Sequence, residues 1–269
     1  MNLSRWLLRL VPPLRRSLDQ VPAYAADWDA ANERFRLAEG PLWVVLGDST
    51  AQAIGVPRGI EHGYVGRLRR LLELRDSRPW RVLNLSRSGA VLADVLDQQL
   101  PQLPAAAELV TCVVGGNDLR RTPLDQLLTD LRSVVDALPA GAVLASMPRG
   151  LKEAKAVQVN AVLMELAVAR GLLVADLWGR TGPPYKGKYA DGLHPNEVGL
   201  TGWVRALSDA LGLPPEVDPP TRSSARGPHG LTWLRQRGEH VLDGGVVGDG
   251  LPLLDDSPPR RRRGRCQRR

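Results

Sequence analysis

Two cysteines in 269 residues, Cys112 and Cys266, are too few for a disulfide framework, so the fold has to stand on its own core. Phenylalanine occurs once, which leaves Leu, Val and Ala to fill that core. No stretch approaches 18 consecutive apolar residues, so no membrane span is expected. Histidine is scarce as well, at four residues, and no His/Cys cluster has metal-ligand spacing. Absent too are a Walker A lysine motif, a G-x-G-x-x-G after a strand and a G-x-S-x-G elbow.

Positive charge is abundant only at one end. Eleven arginines against five acidic residues after residue 220 account for six of the seven net positive charges. The body is near neutral, so a sequence pI near 10.0 gives no reason to expect nucleic-acid binding by the folded part. The 215–269 segment has Pro pairs, a Gly-rich stretch and Arg260–Arg263 without sustained period, and reads as a disordered tail with a helical turn near Trp233. It is either a contact for an acidic surface or a solvated remnant. At the other end, Arg9 and Pro12-Pro13 interrupt the Met1–Gln20 apolar stretch, a poor match to a signal peptide even though Ala23-Tyr24-Ala25 resembles a cleavage site. A cytoplasmic location and an N-terminal helical extension over 1–40, an amphipathic surface helix with weak membrane contact left open, are the expectation.

Between these ends, short apolar runs alternate with stretches of helical period. Strands are expected at Leu42–Leu46, Arg81–Leu85, Leu109–Val114, Val143–Met147 and Leu172–Asp176. Helices are expected over Gly63–Arg75, Ala90–Leu100 (ended before Pro101), Leu124–Leu138, Lys152–Arg170 and Glu197–Leu211. Continuous Val/Leu strands, each followed by a helix, indicate a five-stranded parallel sheet in a flavodoxin-like three-layer α/β/α sandwich over 41–214. Ligands in such sheets bind beyond the carboxyl ends of the strands. Ser49, Gly89 and Asn117 follow the first three strands, and Asp191 and His194 follow the fifth.

These residues make one chemistry legible. A serine hydroxyl needs a neighbouring base, for which His194 is the best placed by type, and Asp191 three residues earlier is able to orient its ring. The Ser49 and Gly89 N–H groups and the Asn117 amide are three donors for a tetrahedral oxyanion. The plainer readings remain open: Ser49 as a helix cap after a strand, and His194 as a cap of the last helix beside Pro195 and Asn196. Asp48 and Asp118 are expected to satisfy backbone N–H groups in their turns. His62, Arg87 and Tyr189 are candidates for the substrate rim, with Trp178 and Tyr185 beside them, on loops 52–62, 87–92, 118–123 and 178–190, although His62 reads more readily as a solvated cap, Arg87 as a solvated loop charge, and the aromatics equally well as packing.

Gly47-Asp48-Ser49, the Gly89 segment, Gly115-Gly116-Asn117-Asp118 and Asp191-Gly192-Leu193-His194-Pro195 stand in the order of four conserved blocks. In this the chain resembles the SGNH (GDSL-type) hydrolases over residues 41 to about 211. Thr50 stands where the family name has Leu, a departure that touches no catalytic group. The resemblance implies a serine esterase without cofactor or metal. It assigns Ser49 as nucleophile, His194 as base, Asp191 as orienting acid, and Ser49, Gly89 and Asn117 as oxyanion donors. A small-molecule ester is the implied partner. Acyl transfer to a sugar or other alcohol uses the same residues, and a binding module with a basic tail is the non-enzymatic alternative. The oligomeric state is not legible.

Overall fold

The structure is a computed structural model that describes residues 11–216. Its centre is a five-stranded parallel sheet: β1 (Leu42–Gly47), β2 (Arg81–Asn84), β3 (Leu109–Val113), β4 (Val143–Ala145) and β5 (Leu173–Ala175). The strand order is β2-β1-β3-β4-β5, the flavodoxin-like arrangement. The helices are α1 (Pro12–Arg36), α2 (Tyr64–Asp76), α3 (Leu92–Asp94), α4 (Gly116–Arg121), α5 (Leu124–Ala137), α6 (Glu153–Arg170), α7 (Leu177–Arg180) and α8 (Glu197–Ala210). A π turn (Val95–Gln99) and a 3-10 turn (Leu100–Gln102) continue α3.

Every residue of β1 is buried, and the pleat splits them between two cores. Trp43 and Val45 join α1, α2 and α8 on one face through Trp28, Leu68, Leu72, Trp203 and Leu207. Leu42, Val44 and Leu46 join α5 and α6 on the other through Leu127, Leu131, Val159 and Leu163. The expected three-layer sandwich is therefore present. Thr111, the polar residue in an otherwise apolar strand, accepts from the Trp43 indole at 3.0 Å, which explains its burial.

Two local expectations change. Pro12-Pro13 starts a helix instead of ending one. Proline lacks only the N–H that a first turn leaves unpaired, so the pair opens 25 residues of helix. That helix buries Tyr24, Trp28 and Ala31 in the core. Likewise Pro101 does not stop the segment after Val91 but lies within the first turn of the 3-10 piece. The expectations for 217–269, including a turn near Trp233, lie outside the described residues.

Parallel strands send all their carboxyl ends to one edge. The opposite edge carries the strand starts and short returns such as Gly141, whose N–H donates to Gly171 O at 2.9 Å. No helix among the described residues is long and apolar enough to cross a membrane.

Candidate active site

β1 ends at Gly47 against a neighbour that allows no side chain: a Cβ there would lie 2.7 Å from Val113 O. The chain then turns tightly, with Ala51 N and Gln52 N both donating to Asp48 O and Ile54 N donating to Ser49 O at 3.0 Å. The Asp48 carboxylate accepts from Thr50 N at 2.9 Å, the local role expected for it. Burial pushes its carboxyl up from the ordinary range. Ser49 is left buried at the turn, facing a cavity of about 450 Å³.

Across that cavity His194 Nε2 lies 3.1 Å from Ser49 Oγ, and His194 Nδ1 lies 2.7 Å from Asp191 Oδ2. The second contact comes from a hairpin-like turn and not from a helical turn. Tyr189 and Pro195 form an antiparallel bridge, Ala190 N donates to His194 O at 2.8 Å, and Asn196 N donates to Lys188 O at 2.9 Å. Inside the turn Asp191 Oδ1 accepts from Leu193 N at 3.0 Å and from His194 N at 2.8 Å. One carboxylate thus shapes the turn with one oxygen and holds the imidazole with the other. Burial would raise the Asp191 carboxyl, but hydrogen bonds from the His194 ring and backbone outweigh it. Together they hold it well below the usual carboxylate range. Capping of α8 falls to Asn196, whose side chain accepts from Val198 N and Gly199 N, so His194 is not needed there.

Asn117 lines the same cavity and is buried. Its Nδ2 donates one hydrogen to Ala90 O at 3.0 Å, tying the loop after β3 to the loop after β2 and leaving the second hydrogen for a ligand. Gly115 adopts φ +113 before it, and a Cβ there would fall 2.3 Å from Met147 Cε. Gly89 adopts φ +86 at the end of the neighbouring loop. Among the described residues neither the Ser49 nor the Gly89 N–H donates to a protein acceptor. The Asp118 carboxylate is spent on structure: it accepts from Leu92 N at 3.1 Å and Thr122 Oγ1 at 3.0 Å, with burial raising its carboxyl.

The rim differs from the expectation in part. Tyr189 and Tyr185 line the cavity, as expected. Arg87 does not: it is exposed and donates to Gln98 Oε1 at 3.0 Å, because its side chain runs to the π turn instead of the strand edge. His62 ends a 3-10 turn near Glu197 and lines no part of it. The missed wall is the loop after β4, with Pro148, Arg149, Gly150 and Leu151. The Arg149 guanidinium stacks 4.8 Å from the Trp178 ring centroid, which holds the loop against the segment after β5. The same sheet-edge rule that placed the other loops pointed to it, but no motif marked it. Gln99 was also missed. Wholly buried in the π turn, it accepts from Gly47 N at 2.8 Å and donates to Gly47 O at 2.9 Å. Burial pushes the Cys112 thiol up to about 12, so it stays protonated inside β3. Among the described residues no three His, Cys, Asp or Glu side chains group as metal ligands.

A family model described as the GDSL-like Lipase/Acylhydrolase family matches residues 45–200. Among solved structures, TesA is similar at 26% identity and TM-score 0.53, covering 63% of this chain and 97% of its own. The acetylxylan esterase Axe2 from Geobacillus stearothermophilus aligns at 22% identity and TM-score 0.53, covering 65% of this chain and 96% of its own. The lipase/acylhydrolase from Enterococcus faecalis aligns at 20% identity and TM-score 0.51, covering 66% and 100%. The last two likenesses concern the fold. No curated protein matches the chain by sequence.

Proposed function

From the premise that this chain belongs to the GDSL-like lipase/acylhydrolase family, we propose that it hydrolyses a carboxylic ester through an acyl-enzyme on Ser49. The observation that carries the reading is the continuous hydrogen-bonded line from Ser49 Oγ through the His194 ring to Asp191. Ser49 Oγ attacks the ester carbonyl while His194 Nε2 takes its proton. Asp191 stabilises the imidazolium and fixes the ring so that Nε2 faces the serine. Negative charge collects on the former carbonyl oxygen, where the Ser49 N–H, the Gly89 N–H and the spare Asn117 hydrogen receive it. Collapse expels the alcohol with the proton from His194. Water, deprotonated by the same ring, then releases the acid and restores Ser49.

The cavity of about 450 Å³ lies in the lower half of the range for small-molecule sites, and its walls are largely apolar, with Leu151, Tyr185, Tyr189, Leu193 and Trp203. That favours esters of small acids over long acyl chains. Purified protein should cleave p-nitrophenyl acetate, faster than the long-chain homologues. Ser49→Ala should lose about 10⁴-fold or more in kcat. Equal turnover by the two proteins would refute the assignment. Product analysis with added alcohols separates hydrolysis from transfer, since both pass through the same acyl-enzyme.

A further inference from the structure

The family match begins at residue 45 and so leaves out α1, yet side chains of α1 bond directly to a loop of the site. Past the turn that carries Ser49, the chain runs on through Gly55 and Val56, both buried, to Gly59. Among the described residues Gly55 N, Val56 O and Gly59 N have no backbone partner. Backbone polar groups away from water are costly when unpaired, so their partners have to come from elsewhere.

Two residues of α1, one helical turn apart, supply all three. Gln20 Oε1 accepts from Gly55 N at 2.9 Å, and Gln20 Nε2 donates to Val56 O at 2.9 Å. The buried Tyr24 hydroxyl donates to the same Val56 O at 2.6 Å and accepts from Gly59 N at 3.2 Å. Gln20 Nε2 also donates to the Tyr24 hydroxyl at 3.3 Å, so the two side chains brace each other. The helix is itself held. Trp28 and Ala31 sit in the core, while Asn32 Nδ2 donates to Asn84 O at 3.0 Å and Asn32 Oδ1 accepts from Asn84 N at 2.9 Å, at the end of β2.

The clamped segment is the wall behind the base. Gly55, at φ +97, is pressed so closely on the catalytic turn that a Cβ would stand 2.9 Å from His194 Cβ and 2.8 Å from Pro195 O. Packing this tight passes a displacement on instead of absorbing it. A shift of Gly55 is therefore a shift of the imidazole relative to Ser49 Oγ, which its Nε2 meets at 3.1 Å.

We propose that α1 is a positioning element for the base: Gln20 and Tyr24 fix the 55–59 segment, and Gly55 fixes where His194 sits. The inference rests on the reading of His194 as the base. Neither side chain lines the cavity, so both act through that wall.

The test measures p-nitrophenyl acetate turnover by the full chain carrying Gln20→Ala or Tyr24→Phe, each alone and combined with His194→Ala. Tyr24→Phe removes the hydroxyl and keeps the ring, so α1 stays docked on the core. Either variant should lower kcat about tenfold, inside the roughly 10²-fold that a 1 Å misplacement costs, with KM changed less than about twofold. In the His194→Ala background the same changes should alter the residual turnover less than about twofold, because no base is left to misplace. Unchanged kcat in both single variants overturns the proposal. So does an equal loss in both backgrounds, since that loss would come through the fold and not through the base. If His194→Ala alone turns over as fast as the parent, the catalytic reading falls instead, and so the two failures are told apart.

Discussion

Asn117 must do two things with one amide. One hydrogen joins the loops after β2 and β3, and the other is left for the oxyanion role proposed above. Asn117→Ala should therefore lower kcat by about 10²–10³ while KM changes little, since the interaction strengthens only as charge develops. Equal loss in kcat and in ground-state binding, from steady-state kinetics, would contradict that role. Single residues of this kind were readable because motif chemistry concentrates in few positions: Ser49, His194, Asp191 and Asn117 converge as the sequence implied. Residues that act through shape were not. Nothing in the letters separates Gln99 from any other helix-surface glutamine. Arg87 is exposed, in line with its plainer reading as a solvated loop charge, since a charge two residues from a glycine says nothing about the direction of a long, flexible side chain.

Elements carry these residues by unequal means. β1 has no partner in β2, which ends at Asn84, for its last N–H; the Gln99 side chain accepts from Gly47 N and adds a second donor to Gly47 O, which also accepts from Arg87 N at 3.2 Å. Gln99→Leu keeps the volume and removes both bonds. It should cost about 1–3 kcal/mol in denaturant unfolding, the toll of an orphaned buried N–H. It should also lower kcat, because Ser49 lies two residues further on. A variant as stable and active as the parent would show that water replaces the amide. Lys155 does similar service for α4, donating to Asp118 O at 3.1 Å and to Thr122 O at the end of the short helix that carries Asn117. Periodicity located the long elements well, because burial on one face imposes it. The short pieces α4 and α7 escaped, being too brief to show any period, and the prolines at 12–13 and 101 read as breaks because a proline that starts a helix looks the same in sequence as one that ends it.

For the molecule as a whole, the site and the fold draw on the same ionisations with opposite signs. Asp191 is held below its ordinary value of 3.8, so its contribution to stability is complete above that value and drains away as pH falls below it. Asp48 and Asp118 are raised by burial, so their carboxylates weigh against the folded state once ionised, and that weight lifts as they protonate. The gap in melting temperature between the parent and Asp191→Asn should be widest near neutrality and close as pH drops under 3.8. A gap that stays constant through that range would show that the carboxylate's charge is not what stabilises the turn. The overall layout was the most legible level of all, since alternating apolar runs and helical stretches leave a parallel sheet few alternatives.

Because every strand points the same way, chemistry is confined to one rim and the other is left idle. The return at Gly141 has open space around its Cα and a backbone angle of +78°. It offers a place to tether the molecule to a bead or electrode with the cavity facing outward, so that immobilisation and turnover do not compete for the same ground.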